Sequence, residues 1–380
     1  SAIVTEKGGK TSHAAIVSRE LGVPAIVGAE ESAYDLEEDQ EVTIDCSSSE
    51  GRVMEGNLEF DVQRESLESI PETETDVMLI VGNPSKAFQY GQLPVDGVGL
   101  AREEFIISSH IGKHPLKMIE DEDEKEFVET LSEGIAKIAA AFYPRKVILR
   151  LSDFKSDEYA DLIGGKDYEP EESNPMLGFR GASRYYDEEF GEAFELECKA
   201  IRRVIEEKEL DNLTVMIPFC RTPEEAKLVR EEMKSNGLDT ENIETYLMAE
   251  LPSNIKMARE FGREVDGFSI GSNDLTQLAL GVDRNSGKLQ HLFQEDHPAV
   301  KRLIRELIKK SSRAGCSTSI CGDAPSSIDG YVDFLVSEGI DSISVSPDVA
   351  LETMLKVEKA EKRTVKEYVR DGSPMKTITQ

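Results

Sequence analysis

The sequence predicts an α/β fold, in which a (β/α)8 TIM barrel takes up most of the 380 residues and follows a smaller unit. Two observations support this prediction. Apolar strand patterns alternate with helical patterns along the chain, and the strands are almost continuously apolar, as strands covered on both faces are. A doubly wound open sheet is the alternative that the pattern leaves open.

Eight strand candidates follow one another in the larger part of the chain. They are VMLIVG (77–82), VDGVGL (95–100), VILRL (147–151), TVMIPF (214–219), TYLMAE (245–250), GFSIGS (267–272), STSICG (317–322) and SISVS (342–346). Segments with apolar residues at helical spacing lie between them, among them 124–142, 224–237 and 297–315. This alternation predicts one barrel over residues 77–362.

Residues 1–62 are predicted to form a small α/β unit. A helix is expected from about His13 to Leu21, followed by short β-like runs at 25–28, 41–46 and 51–56. The acidic segment 63–76 is predicted to be a linker, and 363–380 a polar tail.

The charge of the chain limits its partners. Seventy-five acidic residues against 44 basic ones give a net charge of −31, which repels nucleic acid and anionic lipid. The acidic excess indicates a solvated surface or adaptation to high salt. No apolar run approaches the roughly 18 residues of a membrane span, and the start does not resemble a signal peptide, so we expect a cytoplasmic protein.

Polar side chains recur where the predicted strands end, and the strand ends of a barrel surround one mouth. They are Arg102, Arg150, Asp153, Arg180, Arg221, Glu250, Asn273, Asp274 and Cys321. Guanidinium groups suit phosphate and carboxylate, and a pair of carboxylates suits Mg²⁺. Together they predict a small phosphorylated substrate bound with Mg²⁺. For each arginine taken singly, an ion pair with a surface acid is the alternative.

One of the five histidines, His13, lies at the start of the first predicted helix, behind two glycines, Thr11 and Ser12. Backbone N–H groups and the helix dipole stabilise an anion at such a position. The alternative is that Thr11 or Ser12 simply caps the helix.

Two stretches of the sequence resemble the signatures of the phosphoenolpyruvate-utilising enzymes. GGKTSHAAIVSRELGVPAIVG (8–28) resembles their phosphohistidine motif, and DGFSIGSNDLTQLALGVD (266–283) resembles their second signature. Further segments, such as YEPEESNPMLGFRGASRYY (168–186), extend the likeness to about residue 350. They are most similar to the branch that uses ATP, pyruvate and water, and a phosphate-using dikinase is the alternative.

The resemblance implies a phosphotransferase that interconverts pyruvate and phosphoenolpyruvate through a phosphohistidine. It implies His13 as phosphocarrier, Cys321 as acid/base at the methyl carbon of pyruvate, and Thr11 as a position that can take regulatory phosphorylation. Glu250 and Asp274 would bind Mg²⁺, and the implied substrate-binding residues are Arg102, Arg150, Asp153, Arg180, Glu250, Gly271, Ser272, Asn273 and Asp274. Because a thiolate is needed, we expect nearby cations to lower the pKa of Cys321.

The resemblance also implies an ATP-grasp domain ahead of the phosphohistidine unit, and this sequence does not contain one. We therefore expect the chain alone not to make phosphoenolpyruvate from ATP, and an ATP-grasp domain or chain to be its partner. A truncated gene or fragment, a split enzyme and an intein product are the explanations left open. The resemblance further implies a homo-oligomer formed through the barrel. A non-catalytic assembly partner of a split enzyme is the alternative function.

Overall fold

A computed structural model of the protein divides into two compact units, Ser1–Ser69 with Thr276–Glu295, and Ile70–Leu275 with Asp296–Gln380. The structure describes residues 2–7, 14–15, 18, 23–30, 36–37, 39–46, 51–60, 70–238, 241–284 and 286–371, with side chains to residue 364.

The first unit contains two small strand pairs. Strands β1 (Ile3–Thr5) and β2 (Ala25–Val27) pair in parallel, and β3 (Val42–Asp45) and β4 (Arg52–Glu55) pair antiparallel. The three short β-like runs are thus confirmed. Strand β1 is a correction, because no strand was predicted ahead of the first helix. Residues 14, 15 and 18 are helical, and the rest of the helix expected from about His13 lies outside the described residues.

The centre of the second unit is a closed barrel of eight parallel strands. Around the barrel the order is β10, β11, β12, β5, β6, β7, β8, β9. The strands are β5 (Asp76–Val81), β6 (Gly97–Arg102), β7 (Lys146–Arg150), β8 (Leu213–Ile217), β9 (Thr245–Ala249), β10 (Gly267–Ile270), β11 (Ser317–Cys321) and β12 (Ser342–Val345). Each overlaps a predicted strand, with ends that differ by no more than two residues, so the TIM barrel is confirmed and the open sheet is excluded.

Helices follow the strands along the chain. Their bounds are Ala87–Tyr90, Glu104–Ile106, Pro115–Glu120, Glu124–Phe142, Ser156–Ala160, Ala182–Tyr185, Gly191–Arg202, Pro223–Ser235, Pro252–Lys256, Ala258–Phe261, Ser272–Leu280, Pro298–Ala314, Ala324–Ser327, Tyr331–Glu338 and Ala350–Asp371. The last helix continues past residue 362, into the segment predicted to be a polar tail. In the described ranges no helix has the length and apolar character needed to cross a membrane.

Local sequence explains how the helices start, stop and pack. The helix Pro298–Ala314 begins at a proline, whose fixed φ suits the first helical position, and ends before Gly315 at φ 79°. Its buried residues recur at spacings of three and four, and the helix packs against β10 and β11. The barrel interior is filled by Leu100, Ile148, Met216, Tyr246, Met248 and Cys321. This packed interior leaves the strand ends as the place where chemistry can occur.

Candidate active site

The two arginines that end neighbouring strands lie side by side. Arg102 and Arg150 are register partners at the carboxyl ends of β6 and β7. The Arg150 Nη2 donates to Glu104 Oε1 at 2.7 Å, and its Nη1 lies 4.0 Å from Asp153 Oδ2. Burial opposes the charge on Arg150, but Glu104 and Asp153 outweigh it and raise the arginine pKa. Arg150 therefore stays cationic and has a fixed orientation.

Glu104 was missed by the sequence reasoning, which chose only Arg102 from the segment AREEF. Its Oε1 accepts from both Arg150 and the backbone N–H of Asp153, the latter at 2.8 Å. The Glu104 carboxylate, just after β6, is thus hydrogen-bonded to residues at and after the end of β7. A second glutamate directly after a strand end was the only signal, and in a chain this acidic it carries little information.

Arg180 joins the long segment after β7 to the barrel mouth. It is 3% exposed, and its Nε and Nη2 donate to the two oxygens of Asp153 at 3.0 and 2.6 Å. The same Nη2 lies 3.5 Å from Asp274 Oδ2. Burial disfavours its charge, yet Asp153 and Asp274 outweigh burial and hold the Arg180 pKa well above its usual range. Arg180 and Asp153 therefore form a bidentate ion pair, which fixes the orientation of both side chains.

Glu250 follows β9 and is 1% exposed. Its Oε1 accepts from the N–H of Phe219 at 2.7 Å. Burial, followed by the charges of Asp274 and Asp153, raises the Glu250 pKa well above its usual range, although Arg180 and Arg150 act in the opposite direction. Negative charge is therefore crowded at this point of the mouth.

Crowded carboxylates of this kind fit a divalent cation. A cation near Glu250 and Asp274 would relieve the repulsion that raises the Glu250 pKa. Among the described residues, no cluster of three or more His, Cys, Asp or Glu side chains suits a metal. Glu250 and Asp274 are two carboxylates, which is the usual supply for Mg²⁺, whose remaining ligands are water and substrate oxygens.

Residues 271–274 (GSND), which follow β10, lie against Glu250 and the end of β11. A Cβ at Gly271 would lie 2.9 Å from both Cβ and Oε2 of Glu250, so no other residue fits without displacing that carboxylate. Ser272 packs in the same way against Gly322, which follows Cys321. The Oδ1 of Asn273 is buried without a hydrogen-bond partner among the described residues. An acceptor left open in this way is suited to a ligand.

Cys321 ends β11, 8% exposed, and its environment contradicts one expectation. Ser269 Oγ donates to its Sγ at 3.2 Å. Burial raises the pKa of the thiol to about 11, because the lowering effects of Ser269, Arg150 and Arg102 are smaller and Glu250 adds to the rise. The arginines act in the predicted direction, but the expectation that the pKa of Cys321 is lowered overall is wrong for the protein alone. In this state the thiol holds its proton.

We expect alkylation of Cys321 by iodoacetamide to rise with pH up to about 11, because only the thiolate reacts and burial raises its pKa. Peptide mass spectrometry would follow the site, with the exposed Cys46 as the internal control for reagent. Circular dichroism at each pH would check that the fold persists. Alkylation of Cys321 that levels off below the ordinary thiol value of 9.0 would contradict this account.

Phe219 is a second residue that the sequence did not reveal. Its φ is +43°, and its N–H donates to Glu250. The centre of its ring lies 4.1 Å from the guanidinium carbon of Arg180 and 5.0 Å from that of Arg221. Left-handed φ in a bulky residue is a strained backbone state that the surroundings must hold. Asn254 supports the same turn, because its Nδ2 donates to the Cys220 carbonyl at 2.7 Å.

The predicted site residues thus fall into two groups. His13 and Thr11 lie outside the described residues. The other predicted residues lie at the carboxyl ends of the barrel strands or in the segments that follow them: Arg102, Arg150, Asp153, Arg180, Glu250, Gly271, Ser272, Asn273, Asp274 and Cys321. Such a set can neutralise a phosphoryl group, hold a divalent cation and move one proton.

Comparison with known proteins gives matches over both parts of the chain. The family model "PEP-utilising enzyme, PEP-binding domain" matches residues 59–362, and "PEP-utilising enzyme, mobile domain" matches residues 1–49. Phosphoenolpyruvate synthase of Aquifex aeolicus (strain VF5) is 47% identical, over 96% of this chain and 50% of its own length. Phosphoenolpyruvate synthase of Escherichia coli (strain K12) is 46% identical, over 95% of this chain and 48% of its own length.

The chain thus spans about half the length of the curated relatives it matches. A solved HpcH/HpaI aldolase/citrate lyase family protein from Burkholderia cenocepacia J2315 is 16% identical, covers 80% of this chain and 97% of its own, and has a TM-score of 0.41.

Proposed function

The chain belongs to the family of phosphoenolpyruvate-utilising enzymes, and from this membership we propose that it interconverts pyruvate and phosphoenolpyruvate, with His13 as the phosphocarrier. On this proposal the chain corresponds to the C-terminal part of a phosphoenolpyruvate synthase. The observation that supports it most directly is the neighbourhood of two strand-end arginines, two carboxylates and a protonated thiol at one end of the barrel.

The arginines supply the charge that phosphoryl transfer requires. Catalysis of this reaction depends mainly on positioning and on neutralising the equatorial oxygens. Arg150 and Arg180 are already oriented by Glu104 and Asp153, so little reorganisation is needed when substrate binds. Arg102, beside Arg150, adds a third positive charge.

Glu250 and Asp274 are the side chains that would hold Mg²⁺. When bound, the cation would draw negative charge from the substrate oxygen that alternates between ketone and enolate. Gly271 keeps Glu250 at its position, since any side chain there would push it away.

Cys321 supplies the proton. As phosphoenolpyruvate reacts, its P–O bond breaks, a P–N bond to His13 forms, and the enolate takes the Sγ proton of Cys321 at its methylene carbon to become pyruvate. The raised pKa of Cys321 favours this direction in the free protein, because the thiol begins protonated. In the opposite direction the thiolate removes a methyl proton from pyruvate, and the enolate oxygen attacks the phosphohistidine.

The test is phosphorylation of the purified chain by radiolabelled phosphoenolpyruvate with Mg²⁺. We expect label on His13, with pyruvate released in equal amount, and no label in His13→Ala. His110→Ala, at a histidine elsewhere in the chain, is the matched control and is expected to label normally. A wild-type chain that takes no label, or equal labelling of His13→Ala, would contradict the proposal, and a chain that takes no label would favour the non-catalytic partner.

A further inference from the structure

Two buried carboxyl groups lie behind the arginines and have no role in the chemistry described above. Glu103 is 0% exposed and directly follows Arg102, and Glu197 is 3% exposed on the helix Gly191–Arg202. Glu197 Oε1 accepts from the N–H of Ser152 at 3.2 Å, and its Oε2 accepts from the Ser152 hydroxyl at 2.7 Å. Ser152 lies between Arg150 and Asp153 in the sequence.

Glu103 lacks the donors that an ionised carboxylate needs. Both of its oxygens are buried, and neither has a hydrogen-bond partner of good geometry among the described residues. The backbone N–H of Ser152 lies close enough to lower the Glu103 pKa, but it donates to Glu197. Burying an ionised carboxylate without hydrogen-bond donors costs much free energy, so such a group takes up a proton and becomes neutral. Burial first, then the charge of Glu197 and a hydrogen bond with it, raise the Glu103 pKa well above its usual range.

Glu197 is the partner that remains charged. Burial raises its pKa, while the hydrogen bonds from Glu103 and Ser152 act in the opposite direction. Its two oxygens accept from the N–H and the hydroxyl of Ser152, whereas Glu103 receives only a weaker approach of the same N–H. If Glu103 carries the proton and donates it in a hydrogen bond to Glu197, one hydrogen bond serves both carboxyl groups.

The groups around the pair support a single negative charge. Tyr185 donates to the Ser152 carbonyl at 2.7 Å, and Tyr159 faces the Ser152 hydroxyl at 3.4 Å. Burial raises the pKa of both phenols and of the Cys198 thiol, so all three remain neutral. Glu104 is the charged residue, among those described, that acts on both members of the pair. Arg184 and Glu169 act on Tyr159, and Asp153 acts on Tyr185.

We propose that Glu103 and Glu197 share one proton, and that this acid pair is a positioning device that links the strand ends carrying Arg102 and Arg150. The link has two sides. Glu104 joins the same strand ends at the mouth, and the acid pair joins them from behind through Ser152. The effect on catalysis rests on the proposed function, whereas the shared proton and the link between the strands do not.

Infrared difference spectroscopy of the full chain tests the shared proton. At neutral pH, we expect the difference spectrum, in which the Glu103→Gln spectrum is subtracted from that of the wild type, to show the carbonyl band of one protonated carboxyl group. Glu104→Gln, at the neighbouring glutamate that pairs with Arg150, is the control and should show a carboxylate band instead. A carboxylate band for Glu103 would overturn the proposal.

Hydrogen exchange and labelling rates test the positioning role. Glu103→Gln keeps a donor toward Glu197, so we expect amide exchange across 150–153 and the rate of labelling by phosphoenolpyruvate to stay within about twofold of wild type. Glu103→Leu removes the donor, and we expect exchange there to rise and labelling to slow about tenfold or more. Equal effects of the two variants, or none from Glu103→Leu, would overturn the proposal. If the wild type takes no label, the proposed function fails, while the infrared and exchange results still decide the acid pair.

Discussion

Replacing Arg180 with methionine is expected to lower the free energy of unfolding by about 3–5 kcal/mol. Arg180 is 3% exposed and makes two hydrogen bonds to Asp153, which is itself 7% exposed. Removing the guanidinium leaves that carboxylate buried near Asp274 and Glu250 without its main counter-charge. Labelling by phosphoenolpyruvate should be lost as well, because the same guanidinium belongs to the proposed phosphoryl site.

Urea unfolding at neutral pH measures the stability effect. Arg202→Met is the matched control, since Arg202 is 38% exposed and pairs with Glu206 on a helix surface at 3.3 Å. A pair of this kind contributes about 0.3–0.5 kcal/mol. Adding Asp153→Asn to Arg180→Met should restore part of the lost stability by removing the unpaired charge. If Arg180→Met and Arg202→Met lowered the free energy of unfolding equally, the buried pair would not stabilise the mouth.

Gly271→Ala is expected to slow phosphoryl exchange about a hundredfold, the effect of a displacement near 1 Å at a reacting centre. The new Cβ would lie 2.9 Å from Cβ and Oε2 of Glu250 and 3.2 Å from Met248 Cγ, so the carboxylate has to move. Gly191→Ala is the control, because no atom lies within 4 Å of its added Cβ. The labelling rate with phosphoenolpyruvate and Mg²⁺ is the measurement. A Gly271→Ala rate close to that of Gly191→Ala would mean that Glu250 does not need its present position.

The barrel could be predicted from the sequence because its strands carry a local signal. Strands such as LTVMI (213–217) are buried at every position, and a strand covered on both faces shows this as a continuous apolar run. The polar residues that directly follow the strands could be predicted for the same reason, because the fold brings all strand ends to one mouth.

The residues that were missed have no local signal. Glu104, Phe219 and Glu197 gain their contacts from chain segments about 30 to 50 residues away in the sequence, and only the closed barrel brings those segments together. The pKa of Cys321 was predicted in the wrong direction for a related reason. The sequence revealed the arginines, but it did not reveal that burial would outweigh their charge.

The proposed function requires that His13 and the barrel mouth exchange one phosphoryl group between pyruvate and phosphoenolpyruvate. A chase experiment tests it most directly: the chain is labelled with radioactive phosphoenolpyruvate, freed of excess reagent, and mixed with unlabelled pyruvate and Mg²⁺. We predict that the label leaves His13 and returns as phosphoenolpyruvate, and that Cys321→Ala blocks this return. Label that stays on the protein, or leaves only as inorganic phosphate, would contradict the account.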